Sequence, residues 1–353
     1  MKKTIHLLCV LAAISLFSPL SLCMGQETKF KEETIILTGP VEGWDIILES
    51  FLPSPDSQHV ACVGKNAKKK FCVIFDGKPH KEFDLIGKGA FVFSPDSKHF
   101  AYKAKKGTKW LIIADAKEHK GYDNVSIPIY SPDSRHIAYV AEQGDKMMVV
   151  LDGLEQKRFD GIPPKSNMIF SPDSSTLAYA AIQNKKMLLV VDGKEQKTYD
   201  QISYPIISRD SKRIAYAAKT NDKWSLVVDG KQGPAYDMVG TMSISPDSNH
   251  IAYSAKLDGK GFMVHDGKEG PRFTNVATAT YSPDSSQMSY LALDDKAFFM
   301  VTNGVKGKKY DDVRELVYSP DSAHSILTVK KGKKWCAIVD GQEGAKYDEV
   351  LFV

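Results

Sequence analysis

Residues 171–200, SPDSSTLAYAAIQNKKMLLVVDGKEQKTYD, decide the fold of this chain, because similar copies of this stretch recur from near the N-terminus to the last residues. Each copy begins with Ser-Pro-Asp or its variant Ser-Arg-Asp. The eight copies start at Ser54, Ser94, Ser131, Ser171, Ser208, Ser245, Ser282 and Ser319, so successive copies are 37 or 40 residues apart. A fixed period in this range is typical of solenoids, propellers and repeat arrays, and the content of one period decides between them.

Each copy contains four short segments with strand character. An apolar segment ends at the turn, an alternating segment such as residues 136–141 follows it, and a continuous apolar segment such as residues 147–151 comes third. The fourth segment ends in an aromatic residue and an acid in seven of the eight copies, as in Tyr199-Asp200. Proline presets φ in the first turn, and Asp-Gly or Asn-Gly, which fits a two-residue hairpin, follows the third segment in seven copies.

These features predict an all-β chain that forms a single β-propeller of four-stranded antiparallel blades. The unbroken third segment indicates a sheet covered on both faces, and no segment has the 3.6-residue period of a helical solenoid. Eight turns predict eight blades. Seven blades are the alternative, because residues 34–39 and 44–46 resemble an additional third and fourth strand. We expect these N-terminal strands, within residues 33–47, to lie at the ring seam and to cap or interleave with the last blade, whose fourth strand is predicted over residues 346–353.

The repeated turn also carries a family resemblance. Ser-Pro-Asp-Ser followed by hydrophobic-Ala-Tyr, as in residues 131–139, 171–179 and 245–253, resembles the WD-like repeat of the TolB-type propellers. The resemblance covers about residues 52–353 and implies the propeller fold. It implies no single activity, since related propellers serve as periplasmic scaffolds, peptidase gating domains and enzymes. The chain departs from the family in using serine where Ser-Pro-Asp-Gly is usual, and the α/β domain that precedes the propeller in TolB has no counterpart here.

The N-terminus has the order of a secretory signal. Lys2 and Lys3 precede a mostly apolar run over residues 5–22, and Cys23-Met24-Gly25 follows it. We expect cleavage after Gly25 and an exported protein, periplasmic or extracellular. Lipoprotein anchoring at Cys23 is the alternative, although such motifs place a small residue before the cysteine and this chain has a leucine.

Cleavage at this point divides the chain into two parts. Residues 1–25 would be the signal peptide, and residues 26–353 would form the propeller, with blade repeats from about residue 50. No later stretch approaches the ~20 apolar residues that span a bilayer, so no transmembrane segment is expected in the mature chain.

Charge and cysteine content restrict the possible functions. Without its two signal lysines the chain has 45 basic and 43 acidic residues, so its overall charge gives no argument for binding nucleic acid, and none is expected. Cys62, Cys72 and Cys336 remain, a poor number for a disulfide framework. Cys62 and Cys72 could pair across a hairpin, or they could be small buried thiols.

The repeated polar residues favour structural roles. The turn aspartates occupy equivalent points on separate blades, so they should stabilise their own turns rather than converge on a metal ion. The Tyr-Asp pairs should place an aromatic ring between blades and an acid on local backbone. Five histidines follow the turn serine by five residues and should lie at exposed strand starts, with a pH-sensitive rim as the alternative. They are His59, His99, His136, His250 and His324.

No linear motif of a hydrolase, nucleotide-binding site or metalloprotease is present in the sequence. The sequence therefore assigns no catalytic, cofactor-binding or metal-binding residue and implies no cofactor, which favours a non-enzymatic protein.

One asymmetry between the copies points to a binding surface. The loops between second and third strands should lie at the same end of every blade, and those of blades one, two and eight are rich in lysine, whereas the middle blades add acidic residues. In a closed ring these loops form one basic sector that attracts anionic partners, or else a merely solvated rim. The predicted partner-binding residues are Lys68, Lys69, Lys70, Lys105, Lys106, Lys109, Lys330, Lys331, Lys333 and Lys334.

The sequence thus predicts an exported, monomeric binding or scaffold module for a protein or an anionic cell-envelope polymer. One alternative is an enzyme with a site in the central channel, a hydrolase or lyase acting on a sugar or lactone. Another is a purely structural module of a larger envelope assembly, which would expose one large apolar patch.

Overall fold

A computed structural model of the chain describes residues 41–163 and 168–349, in which strands and turns occur and helices do not. The strands form eight four-stranded antiparallel sheets, each made of consecutive strands. Each sheet contains one copy of the repeat, so the predicted all-β fold with eight blades is confirmed. We number the blades one to eight in chain order.

The strands occupy the same four positions in every blade. The first strands are Asp45–Pro53, Leu85–Phe93, Asn124–Val125 with Ile129–Tyr130, Met168–Phe170, Gln201–Ile202 with Ile206–Ile207, Met238–Ile244, Asn275–Val276 with Thr280–Tyr281, and Asp312–Tyr318. The second strands are Val60–Lys65, Phe100–Lys106, Ile137–Gln143, Leu177–Gln183, Ile214–Thr220, Ile251–Leu257, Met288–Asp294 and Ser325–Lys331. The third strands are Phe71–Phe75, Lys109–Ala114, Lys146–Leu151, Lys186–Val191, Lys223–Val228, Lys260–His265, Ala297–Thr302 and Lys334–Val339. The fourth strands are Lys78–Pro79, Lys117–Glu118, Leu154–Phe159, Lys194–Tyr199, Lys231–Gln232, Lys268–Glu269, Val305–Tyr310 and Gln342–Tyr347.

The N-terminal residues differ from the sequence prediction. Asp45–Pro53 is the first strand of blade one and pairs with Val60–Lys65, so the prediction that residues 44–46 supply an additional fourth strand is wrong. The third strand predicted over residues 34–39 lies outside the described residues. At the other end the fourth strand of blade eight is Gln342–Tyr347, earlier than predicted, and residues 350–353 are likewise outside the described part.

Successive side chains of the second and third strands point to opposite faces of the sheet, so each blade can pack against a neighbouring blade on either side. In blade two, Tyr102 and Ile113 pack into the cluster shared with blade one, whereas Ala101 and Ile112 pack into the cluster shared with blade three. The third strand is continuously apolar because both of its faces are buried in this way. In blades one to five the aromatic residue of the aromatic–acid pair packs edge-on against a tyrosine of the next blade, as Tyr122 does against Tyr139 with ring centroids 6.5 Å apart, which confirms the predicted place of these rings between blades.

Seven hydrophobic clusters join the seven pairs of consecutive blades, from blades one and two to blades seven and eight. Within residues 41–163 and 168–349 no such cluster joins blade eight to blade one. The free face of blade one is covered instead by Val41 and Trp44, which pack over two buried free thiols, Cys62 and Cys72. On blade eight Tyr347 is 55% exposed, whereas its equivalent in blade seven, Tyr310, is 7% exposed. Closure of the ring by the N-terminal strands stays a prediction, because residues 33–40 lie outside the described part of the chain.

Candidate functional site

The turn aspartates are bound inside their own turns, which confirms their predicted structural role. In blade three, Asp133 Oδ1 accepts a hydrogen bond from Ser131 Oγ at 2.6 Å and another from the Arg135 N–H at 3.1 Å. These hydrogen bonds, the one from Ser131 above all, hold the pKa of Asp133 below its usual value. The Asp133 carboxylate therefore stabilises its own turn.

The serine that ends each Ser-Pro-Asp-Ser turn fastens its blade to the preceding one. Ser134 has a φ of 66°, in the left-handed region, and its Oγ accepts the N–H of Asp96 of blade two at 3.0 Å. The same contact joins all seven pairs of consecutive blades, through Ser97, Ser134, Ser174, Ser211, Ser248, Ser285 and Ser322. We call these seven side chains the latch serines. The hydroxyl gives a physical reason for serine at a position where φ alone would favour glycine.

The latch is missing at the seam between blades eight and one. Ser57 has the same left-handed φ, 59°, but its side chain is exposed and the structure shows no hydrogen bond from Asp321 of blade eight to it. Both residues lie in the described part of the chain. The seam therefore lacks the two kinds of contact, cluster and latch, that join the other blades.

At the opposite end of the blades, many lysines of the predicted basic sector belong to a repeated structural contact. Lys109 begins the third strand of blade two, and its Nζ lies 2.6 Å from Asp123 Oδ1, just after the fourth strand. Asp123 Oδ2 accepts the N–H of Gly144 in the loop of blade three at 2.8 Å. The hydrogen bond from Lys109 and that from Gly144 lower the pKa of Asp123. Asp123 thus links the third strand of its own blade to the loop between the second and third strands of the next blade.

This lysine–aspartate pair recurs in six blades. The pairs are Lys70–Asp84, Lys109–Asp123, Lys146–Asp160, Lys186–Asp200, Lys223–Asp237 and Lys334–Asp348. Since it occurs where no basic sector was predicted, the contact is part of the blade itself. Lys70, Lys109 and Lys334 of the predicted binding set are therefore already paired.

Four more of the ten predicted lysines contact their own blades. Lys106 and Lys331 form ion pairs with glutamates of the fourth strands. Lys105 and Lys330 extend over the rings of Trp110 and Trp335, with Nζ 5.7 and 5.6 Å from the ring centroids. Such contacts hold the stems of these lysines while leaving charge near the surface.

Lys68, Lys69 and Lys333 are the remaining members of the predicted set. All three are exposed, and the structure shows no ion pair for them among residues 41–163 and 168–349. Blades one and two share a hydrophobic cluster, so the loops carrying Lys68 and Lys106 are neighbours. Lys333 belongs to blade eight, on the other side of the junction between blades eight and one, where the described residues form neither a shared cluster nor a latch contact. One continuous sector spanning blades eight, one and two stays a prediction.

The five repeated histidines directly precede the second strands with partly or fully exposed side chains, close to the prediction, but each has a partner that the sequence reasoning missed. His136 Nδ1 lies 2.7 Å from Oδ2 of Asp152, the aspartate of the following hairpin turn. The same pair is formed by His59, His99, His250 and His324 with Asp76, Asp115, Asp266 and Asp340. The signal that could have revealed these pairs is their constant separation of 16 or 17 residues.

Blade six adds a second histidine that sequence reasoning also missed. His265 directly precedes Asp266, at a position where the other blades have Phe75, Ala114, Leu151, Val191, Val228, Thr302 or Val339. Its Nε2 lies 3.7 Å from Asp266 Oδ2. The sequence could have revealed His265 as a departure from the repeat, because no other copy has a titratable residue at this position.

The consecutive four-stranded blades with shared clusters define this chain as a β-propeller, a fold that commonly serves as a binding or scaffold module. No helix in the described part of the chain is long and apolar enough to cross a membrane.

No protein-family model matches the sequence, and no curated protein matches it either. Among solved structures, the chain is similar to a crystal structure described as the eukaryotic initiation factor, with 10% identity over 87% of this chain and 90% of that one and a TM-score of 0.44. It is also similar to the β-propeller domain of the Trilobed protease from Pyrococcus furiosus, with 16% identity, 76% and 98% coverage and a TM-score of 0.32. A third is the Dos1 propeller, with 10% identity, 82% and 90% coverage and a TM-score of 0.36. At these identities the likeness concerns the fold alone.

Proposed function

We propose that this chain is an exported, non-enzymatic propeller that binds an anionic cell-envelope polymer or an acidic protein surface through the loops between second and third strands of blades one, two and eight. The observation that carries the proposal is the exposure of Lys68, Lys69 and Lys333 without an ion pair in the described part of the chain. The corresponding loops of blades three, five, six and seven add acids such as Asp145 and Asp222 beside their lysines.

The attraction of such a surface is local and depends on salt. The chain as a whole is nearly balanced in charge, so a uniform field does not draw a partner to it. Exposed charges act over about 8 Å at physiological ionic strength, and a single exposed pair contributes less than about 1 kcal/mol. A polymer with repeated negative charges would therefore engage several lysines at once, and its binding would weaken as salt rises.

The paired lysines complicate any test that simply removes positive charge. Loss of Lys70, Lys109 or Lys334 would leave an aspartate that also holds the next loop or the chain end without its partner. Such variants would change stability together with surface charge. The three lysines without ion pairs separate the two effects.

A charge-reversal experiment tests the proposal. One variant carries Lys68→Glu, Lys69→Glu and Lys333→Glu. A matched control carries Lys185→Glu, Lys260→Glu and Lys296→Glu, which are exposed residues in or directly beside the corresponding loops of blades four, six and seven. Both variants change the net charge equally. The first should elute from a heparin column at clearly lower salt than the control. If the two variants elute together, only net charge acts and the binding surface is refuted.

Export is supported by the residue order of the N-terminus, Lys2-Lys3 followed by an apolar run. Expression of the full chain with sequencing of the secreted product tests it. A mature N-terminus following Gly25 is expected, whereas retention of residues 1–25 would contradict export by this signal.

A further inference from the structure

Three metal-ligating side chains meet at one turn of blade six. His250 directly precedes the second strand, His265 ends the neighbouring third strand, and Asp266 follows in the hairpin turn. One ligand atom of each lies within 4.8 Å of those of the other two. His250 Nδ1 is 2.6 Å and His265 Nε2 is 3.7 Å from the same atom, Asp266 Oδ2. This turn lies at the end of the blades opposite the lysine loops, so it is separate from the proposed partner surface.

Comparison with the other blades shows what His265 adds. Blade three has the same histidine–aspartate pair, His136 and Asp152, with Leu151 in place of the second histidine. An apolar residue therefore satisfies the fold at this position. Two ligands alone bind a metal ion weakly, whereas a third ligand completes the usual protein contribution to an open zinc site.

The unpaired nitrogen of His265 is a second, independent observation. Its Nε2 is buried and has no hydrogen-bond partner within the described residues. A buried polar atom without a partner is uncommon and calls for an explanation such as a water molecule or an ion. Because this nitrogen faces the Asp266 carboxylate, a cation between them would satisfy both groups.

The backbone holds the three ligands in place. Asp266 Oδ1 accepts the N–H of Ile251 at 2.9 Å, which fixes the carboxylate and leaves Oδ2 for a ligand. The His265 ring packs against the rings of His250 and Tyr281, with centroids 5.6 and 6.0 Å away. The ligands thus come from two hydrogen-bonded strands and a tight turn, which are rigid elements of the blade.

We propose that His250, His265 and Asp266 form a binding site for a divalent transition-metal ion, with zinc as the best match. Two imidazole nitrogens and one carboxylate oxygen suit Zn²⁺, which would keep its fourth position for water. Ligand atoms around a tetrahedral zinc ion are about 3.3 Å apart, since each metal–ligand bond is about 2.0–2.2 Å. The His250–Asp266 contact would open and the His265–Asp266 contact would close, each by under about 1 Å.

Zinc titration of the mature chain against a chromophoric chelator tests the site. Wild type should take up one zinc ion, and His265→Leu, which copies blade three, should bind it at least about ten-fold more weakly. His136→Ala, which removes the histidine of a pair without a third ligand, should bind as wild type does. The proposal is overturned if wild type takes up no zinc or if His265→Leu keeps its affinity.

A gain of binding gives the reverse test. Leu151→His should add the third ligand to blade three and raise zinc uptake by one equivalent. Cobalt in place of zinc should show the visible absorption of a tetrahedral site in wild type and lose it in His265→Leu. Circular dichroism with a chelator present should be the same for wild type and His265→Leu, which separates loss of the site from loss of the fold. Absence of the cobalt signal in wild type would contradict the proposed ligand set.

Discussion

Replacing Ser134 with alanine should destabilise the protein more than replacing it with glycine. Ser134 is 4% exposed, has a φ of 66° and accepts the N–H of Asp96 across the junction of blades two and three. Both substitutions remove that hydrogen bond. Only glycine also relieves the left-handed backbone conformation, so the two variants separate the latch from the strain that it offsets.

The expected magnitudes follow from these two terms. A hydrogen bond of this kind contributes about 0.5–1.5 kcal/mol net, and because the Asp96 N–H belongs to an exposed residue, this is the expected loss in Ser134→Ala. A left-handed conformation costs roughly 1–2 kcal/mol in a residue with a side chain, and glycine avoids this cost. Glycine loses about 0.5–1 kcal/mol more than alanine in conformational entropy on folding. Ser134→Gly should therefore be less destabilised than Ser134→Ala by up to about 1.5 kcal/mol.

Equilibrium unfolding in urea, followed by tryptophan fluorescence and circular dichroism, measures the difference. Ser57 in blade one is the matched control, since it has the same turn and a φ of 59° but no latch contact. Ser57→Ala should be nearly neutral, and Ser57→Gly neutral or slightly stabilising. Equal losses for Ser57→Ala and Ser134→Ala would refute the latch. A larger loss for Ser134→Gly than for Ser134→Ala would refute the role of backbone strain.

Three further outcomes are expected. Tyr310→Ala should lower the unfolding free energy by about 3–5 kcal/mol because the ring is buried between blades seven and eight, whereas Tyr347→Ala should be nearly neutral; equal losses in urea unfolding would contradict the open seam. Burial raises the pKa of Cys62 to about 11 and that of Cys72 to about 12, so a thiol reagent at neutral pH should react with the mature chain only after unfolding and should then count three thiols. Hydrogen bonds lower the pKa of Asp133 in the folded state, so its contribution to stability is present above the unfolded pKa of about 3.9 and is lost as pH falls through and below that value. The urea midpoints of wild type and Asp133→Asn should therefore converge below about pH 4, and a constant difference down to pH 2 would argue against this linkage.

The blade could be predicted because its information is local. Alternating apolar residues such as those in Ile137–Gln143, followed by an unbroken apolar strand and a hairpin turn, specify a meander within about 37 residues. One departure from the repeat also has a structural role. Thr274 stands where other copies have aspartate, and its Oγ1 still accepts the N–H of Asp295 in the next blade at 3.1 Å.

The seam could not be predicted in this way because it depends on contacts between the two ends of the chain. Nothing within one copy shows that Trp44 covers blade one while Tyr347 of blade eight stays exposed. Residues 44–46 were predicted to form an extra strand. Trp44 packs on blade one and the first strand starts at Asp45, and in the sequence this combination looks the same as a short separate strand.

The candidate sites were only partly visible in the sequence. Counting lysines could not show that Lys109 pairs with Asp123, because the two residues were interpreted separately. His265 was missed because only the position of the five repeated histidines was compared between copies, and the end of the third strand, where one copy has a histidine, was not. In both cases the decisive fact is which side chains the hairpins place face to face.

Acetylation footprinting tests the central claim, a partner surface at the lysine loops, most directly. The mature chain is treated with an amine-acetylating reagent with and without saturating heparin, and modification is read by peptide mass spectrometry. Heparin should protect Lys68, Lys69 and Lys333 and leave Lys185 and Lys260 as reactive as before, although all five are exposed in or directly beside the loops between second and third strands. Equal protection of all five lysines, or protection of none, would contradict the account.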